Sequence, residues 1–176
     1  MPKTIARQGE WIIREFAKGD RDALVKYANN PKVAGQLRDR FPSPYTAAEA
    51  DAWLARVTEG QGRTSCAIAD DRELIGGIGL EVLDDIHRRS AEIGYWLGEP
   101  HWGRGIATWA VRAVTAWGFA ELDLVRIQAT VFESNPASAR VLEKAGYQLE
   151  GRLRRSIWKN GVLMDSFLYA ILREKV

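Results

Sequence analysis

The sequence predicts an α/β protein built on a mixed, mostly antiparallel twisted sheet of about six or seven strands flanked by helices. Three observations lead there. Helical segments with one apolar face alternate with short β-branched and aromatic runs from Trp11 onward. Neighbouring strand runs are separated by compact polar turns, above all Lys159-Asn160-Gly161, whose Asn-Gly pair is a strong hairpin signal. Between two strand runs lies His101-Trp102-Gly103-Arg104-Gly105-Ile106-Ala107-Thr108, a glycine-bearing loop that leads into an alanine-rich helix.

Each element has a local reason. Trp11–Arg14 is a short strand. Residues 20–29 read as a helix with Asp20 as N-cap and Ala23, Leu24 and Tyr27 on one face. Asn29-Asn30-Pro31 ends it. Pro42 and Pro44 keep the segment from Arg38 to Tyr45 out of regular helix. Thr46 then caps a second helix to Val57, with Glu49 completing a capping box and Trp53 and Leu54 turned inward. Ser65–Ala69 and Leu74–Leu80 are strands around the turn Asp70-Asp71-Arg72. Ala91–Leu97 is a strand whose Gly94 suits a bulge or a close ligand approach. After the loop, a helix spans residues 106–122 and a strand Arg126–Val131. Asn135-Pro136 opens a helix that Gly146 closes as its C′ residue. Two strands of the hairpin fill Leu149–Leu172.

Composition narrows the classes. A chain of 176 residues without repeat, linker or low-complexity segment is expected to form one domain. With 25 basic and 23 acidic residues, its net charge of +2 is far from the basic excess of a nucleic-acid binder. The one cysteine, Cys66, excludes an internal disulfide and suits a reducing cytoplasm. It lies in a strand run, so a buried, inert thiol is expected. The N-terminus lacks the apolar run of a signal peptide, and no stretch approaches the roughly 20 apolar residues of a membrane span. His87 and His101 have no third ligand at metal spacing. Gly76-Gly77-Ile78-Gly79 precedes no helix, so it marks close sheet packing rather than a dinucleotide fingerprint. Arg152 and Arg154 fall on one face of their strand by alternation, beside Arg155; a solvated face is the default reading of the three and an acidic-substrate patch the alternative. Asp165 is a second carboxylate candidate, with a turn or strand-end role as its alternative.

The loop before the long helix carries the chemistry. Two glycines two apart allow a tight turn with no Cβ in a ligand's way. The following helix aims its first N–H groups and its positive dipole end back at that turn, an arrangement suited to phosphate or pyrophosphate. Further along comes Asn135-Pro136-Ala137-Ser138-Ala139-Arg140-Val141-Leu142-Glu143-Lys144-Ala145-Gly146-Tyr147. Glu92-Ile93-Gly94-Tyr95-Trp96-Leu97, the loop and this helix, in this order and spacing, resemble the GNAT superfamily of N-acetyltransferases. Within it they resemble the branch that acetylates ribosomal-protein N-termini, the RimJ/RimL-like enzymes. Gly105 and Ala107 match the superfamily's Arg/Gln-x-x-Gly-x-Gly/Ala signature, while Trp102 replaces its first residue in the manner of this branch.

The resemblance implies a sheet with a splayed central strand pair and acetyl-CoA as co-substrate. Tyr95, Trp96 and Leu97 would offer backbone groups to the pantetheine arm, although core packing alone accounts for their side chains. Trp102, Gly103, Arg104, Gly105, Ile106, Ala107 and Thr108 would grip the pyrophosphate. Asn135 would bond the pantetheine amide, Ser138 would face the thioester sulfur, and Lys144 or Arg140 would approach the adenosine phosphates.

Acetyl transfer to an amine needs a base, an oxyanion donor and an acid for the leaving thiolate. Glu92, acting through water, is the candidate base, against the alternative of a surface glutamate beside Arg88 or Arg89. A backbone N–H near Trp96 or Leu97 is the candidate oxyanion donor. Many superfamily members place an acidic tyrosine where this chain has Leu142, so Ser138, one turn earlier on the same face, is the candidate acid. The acceptor is expected against the segment from Arg38 to Tyr45, with Arg38, Phe41 and Tyr45 as substrate contacts. A protein N-terminus or a small-molecule amine fits. The segment's net positive charge disfavours a polyamine. Exposed tryptophans are candidates for a homodimer interface. Two other readings share these residues: a non-catalytic acyl-CoA sensor and a nucleotide-phosphate module.

Overall fold

A computed structural model describes residues 2–60 and 64–173. Eight strands are ordered β1-β2-β3-β4-β5-β6-β8-β7 along one hydrogen-bonded sheet, one more than the sequence predicts. The addition is β1 (Thr4–Gln8), which is largely exposed and carries none of the apolar alternation that marks a strand. Its pairing with β2 (Trp11–Arg14) across Gly9 supplies what its own side chains do not. The chain divides into two compact units, one made of Met1–Gly79 and Tyr95–Ala110, the other of Leu80–Gly94 and Val111–Val176. Three elements run through both: β4 (Leu74–Val82), β5 (Ser90–Leu97) and α4 (Ile106–Glu121).

In the first unit, β1, β2, β3 (Ser65–Ala69) and β4 form an antiparallel ladder, with Ile13 opposite Ile68 and Ile68 opposite Gly76. Ile13, Leu24, Ile68, Leu74 and Ile75 are fully buried. At about 1.5–3 kcal/mol for each such side chain, this layer is the main driving force of the unit. Three helices complete it: α1 (Arg21–Ala28), α2 (Pro31–Ala34) and α3 (Ala47–Thr58). Thr46 caps α3 as expected, its Oγ1 accepting the Glu49 N–H at 3.4 Å. Trp53 is half-buried, with its ring edge-on to Phe16.

Asp20 departs from its expected role. It precedes α1 but makes no side-chain cap. Its carboxylate instead accepts both Arg14 guanidinium nitrogens, at 2.8 and 2.7 Å, and the Ala17 N–H at 2.8 Å. A carboxylate only 5 % exposed needs a charged partner more than a helix end does, and Arg14 is that partner. Asn30, within the expected helix break, also caps α2 by accepting the Lys32 N–H at 2.9 Å.

In the second unit, Ser90, Ala91 and Glu92 of β5 run parallel to Arg126, Ile127 and Gln128 of β6 (Arg126–Phe132). β6 pairs antiparallel with β8 (Val162–Leu172), which pairs with β7 (Gln148–Lys159). Asn160 (φ +51°) and Gly161 (φ +78°) make the hairpin turn with two positive φ values, as their dipeptide predicts. α5 (Pro136–Ala145) ends at Gly146, φ +96°. Leu142 on α5 and Val114 on α4 are fully buried.

β7 shifts register between Leu153 and Ile157, and Arg155 adopts φ +53°. A bulge therefore interrupts the strand's period of two within this stretch. Arg152 bonds Asp165, and the charge of Arg154 acts on the same carboxylate.

Candidate active site

The first unit holds the glycine loop. Gly103 and Gly105 have φ of +73° and +82°, and a Cβ at either would meet nothing within 4 Å. They are present for backbone conformation, which a side chain would strain. The loop from Trp102 to Gly105 is exposed, and α4 begins at Ile106, whose side chain is buried. The helix therefore starts anchored while the loop stays open. Arg104 reaches Glu10 at 3.0 Å, and the Trp102 indole donates to the Leu97 carbonyl at 2.7 Å. The indole thus clips the loop to the end of β5 and explains an aromatic residue at this position. Ala107 and Thr108 lie half-buried in the first turn of α4.

Beside the loop, His101 is edge-on to Tyr27 at 5.1 Å. Neither ring nitrogen has a hydrogen-bond partner among the described residues, and both are buried. Burial lowers its pKa and favours the neutral imidazole. Tyr27 in turn donates to Glu73 at 2.7 Å.

Upstream on β5, Trp96 is half-buried with its ring 5.7 Å from Phe41, and Leu97 is buried. A Cβ on Gly76 would lie 2.4 Å from the Trp96 carbonyl oxygen, and one on Gly77 would lie 2.8 Å from the Trp96 ring nitrogen. Close packing accounts for these glycines, as predicted. Gly94 is exposed with open space where a Cβ would be.

The expected substrate segment needs one correction. Tyr45 does not offer an aromatic surface: it is only 4 % exposed, and burial pushes its phenol up to about 12. Its ring packs on Phe41 at 5.3 Å and its N–H donates to Asn29 at 3.1 Å, so it fixes the segment from within. Phe41 stays half-buried and Arg38, Asp39 and Arg40 are exposed.

The second unit holds Glu92, Asn135, Ser138 and Lys144. Glu92 is half-buried and is the last residue of the described β5–β6 register, opposite Gln128. Arg88 donates to the Asp85 carbonyl and Arg89 to Asp123. Asn135 caps α5, its Oδ1 accepting the Ser138 N–H at 3.1 Å. One side chain thereby fixes both the helix start and the backbone of Ser138, which is half-buried. Arg140 pairs with Glu143 at 2.7 Å, and the exposed Lys144 gives its carbonyl to Arg112. Thr115 and Tyr147 share a buried hydrogen bond of 2.7 Å.

Asp165, a second-rank candidate by its sequence, is among the most tightly held carboxylates described. It accepts the Arg155 N–H at 2.7 Å and Arg152 Nε at 2.5 Å, which hold its pKa below the usual carboxylate range. The signal for it is spread over residues far apart in the chain. Among the described residues no group of three or more His, Cys, Asp or Glu could hold a metal ion, and no helix is long and apolar enough to cross a membrane.

The first unit thus presents a glycine turn open to solvent at the start of a long helix, and the second a parallel strand pair that carries a half-buried glutamate. Residues 11–148 match the acetyltransferase (GNAT) domain, and the chain belongs to that family. The N-acetyltransferase YoaA of Bacillus subtilis (strain 168) is 44% identical over 167 residues, spanning 93% of this chain and 94% of YoaA. The ribosomal-protein-serine acetyltransferase of Escherichia coli (strain K12) is 35% identical over 103 residues, 58% of this chain and 57% of that enzyme. Among solved structures, the spermidine N-acetyltransferase from Vibrio cholerae, in complex with CoA and spermine, superposes with a TM-score of 0.76 at 25% identity, covering 93% of this chain and 95% of that one. The chain is an N-acetyltransferase that takes its acetyl group from acetyl-CoA.

Proposed function

We propose that this acetyltransferase modifies the α-amine at a protein N-terminus, in the cytoplasm. The observation that carries the donor side is the pair of open, left-handed glycines at Gly103 and Gly105 immediately before α4. Backbone N–H groups from Gly103 to Thr108 hold the pyrophosphate, helped by the positive helix end, with Trp102 and Arg104 framing the turn. Backbone groups of Tyr95, Trp96 and Leu97 meet the pantetheine arm. Asn135 keeps its Oδ1 for the helix cap, and its Nδ2 donates to a pantetheine carbonyl. Lys144 answers the adenosine phosphates.

The amine nitrogen attacks the thioester carbon, and collapse of the tetrahedral intermediate breaks the C–S bond. Glu92 takes the amine proton through a water, and Ser138 donates to the departing thiolate. The resemblance to ribosomal-protein acetyltransferases and the positively charged segment with Arg38 and Arg40 favour a peptide amine over a polyamine, with Phe41 as the apolar contact.

Thiol release from acetyl-CoA over a panel of N-terminal peptides and small amines tests this reading. Peptide acetylation is expected, with Glu92→Gln lowering kcat by about 10²-fold or more and Ser138→Ala lowering it less. A Ser138→Ala kcat unchanged across pH removes the acid role. Acetyl-CoA binding without turnover of any amine returns the chain to the sensor reading.

A further inference from the structure

The bulge in β7 builds a feature that acetyl transfer itself does not require. Asp165 is 8 % exposed and draws the Arg155 N–H onto its Oδ1 and Arg152 onto its Oδ2. To deliver that N–H, the backbone of Arg155 is held at φ +53°, a region disfavoured for a residue with a side chain. Ser156 secures the bulge by donating to the Leu153 carbonyl at 2.9 Å and sharing a 2.7 Å bond with Ser166. The outcome is an open cleft lined by Arg154, Arg155 and Asp165. Asp165 bonds Arg152 and also feels the charge of Arg154, while neither the Arg154 nor the Arg155 guanidinium makes a close ion pair among the described residues.

The cleft also has a defined address. The Asp165 N–H donates to the Glu133 carboxylate at 2.8 Å, and the Glu133 N–H returns to the Asp165 carbonyl at 3.1 Å. Glu133 directly follows β6 and lies two residues before Asn135 and five before Ser138. The two arginines therefore stand at the end of β6 from which the chain enters α5.

We propose that Arg154 and Arg155 form an anion subsite that binds the carboxylate of an acidic side chain near the N-terminus of the acceptor. The proposal rests on the protein N-terminal acceptor reading above. Paired guanidiniums match a carboxylate in a bidentate, charge-assisted geometry and repel a cationic acceptor.

Three matched peptide amides, Ser-Asp-Glu-Ala, Ser-Asn-Gln-Ala and Ser-Lys-Lys-Ala, are compared with free aspartate and spermidine by thiol release. The expected kcat/KM order is acidic, neutral, basic, with about tenfold between the first two. In R154Q/R155N, where asparagine tolerates the left-handed backbone, the acidic-to-neutral ratio falls towards one. If that variant fails to fold, the single R154E serves, with the order expected to reverse.

A flat response to charge in the parent protein overturns the subsite while leaving N-terminal acetylation intact. A raised KM for acetyl-CoA with an unchanged peptide order overturns it too, assigning the arginines to cofactor phosphates. Free aspartate preferred over the acidic peptide overturns the peptide source, and release with spermidine alone overturns both this proposal and the acceptor reading.

Discussion

Two glycine clusters in the same unit are built for opposite purposes. Gly103 and Gly105 sit in an exposed loop, both at positive φ, with nothing near the place a Cβ would occupy. Gly76 and Gly77 sit in β4 at ordinary φ, pressed against Trp96 so closely that a Cβ would strike its carbonyl oxygen and ring. The loop needs glycine for its dihedral angles and the strand needs it for its lack of volume. Glycine thus serves either backbone conformation or close packing, and what surrounds the backbone decides which.

Substitution separates the two most sharply at Gly76. Gly76→Ala forces a methyl into the Trp96 backbone and is expected to cost about 2–3 kcal/mol, in the upper range for overpacking. Thermal unfolding then shows a fall on the order of 5–10 °C for a chain of this length. Gly105→Ala is expected to behave differently. Its methyl has room, and the strain of about 1–2 kcal/mol at φ +82° can relax by moving an exposed loop. That movement misplaces the N–H groups, so the KM for acetyl-CoA rises by about tenfold while Tm changes little. A large Tm loss with an unchanged KM would break the contrast.

A smaller effect is read from Cys66 on β3, which pairs with Ile78 of the glycine strand. Burial pushes its thiol up to about 12. The folded thiol stays protonated well above the pH at which an exposed cysteine ionises, near 8.5. Because the folded value is the raised one, the neutral thiol favours the fold fully below pH about 8.5, and this is lost as pH climbs towards 12. Alkylation by iodoacetamide at pH 8 is expected to be negligible in the folded parent. It should become measurable in Gly76→Ala, where looser packing of the β3–β4 pair admits the reagent.

The elements legible in the sequence share a trait: their signals lie within a few residues. Asn135-Pro136 and Gly146 bracket α5 because a cap and a left-handed C′ residue are local requirements. Asn160-Gly161 sets the hairpin and Thr46 starts α3 for the same reason. The misread residues depend on distant partners. β1 is a strand because β2 is there to pair with it. Asp20 looks like a cap but answers Arg14. Tyr45 looks like accessible aromatic surface but is enclosed against Phe41. Among the residues proposed for the site, the glycine turn and the Asn135 cap over Ser138 are legible as local structure from their spacing, whereas Trp102 clipping Leu97 and the clasp of Asp165 by β7 are not.

By itself the sequence determined the local elements on which the proposed donor site rests: the turn, the helix that follows it and the capped helix of Asn135 and Ser138, each encoded by backbone preferences and hydrogen bonds that span about one helical turn. The tertiary structure alone decided which tyrosine is enclosed, and that β7 bulges beside a buried aspartate with Arg154 and Arg155 exposed around it. Those outcomes depend on volume and charge brought together from remote parts of the chain, as when Glu133 meets Asp165, and no local pattern carries that information.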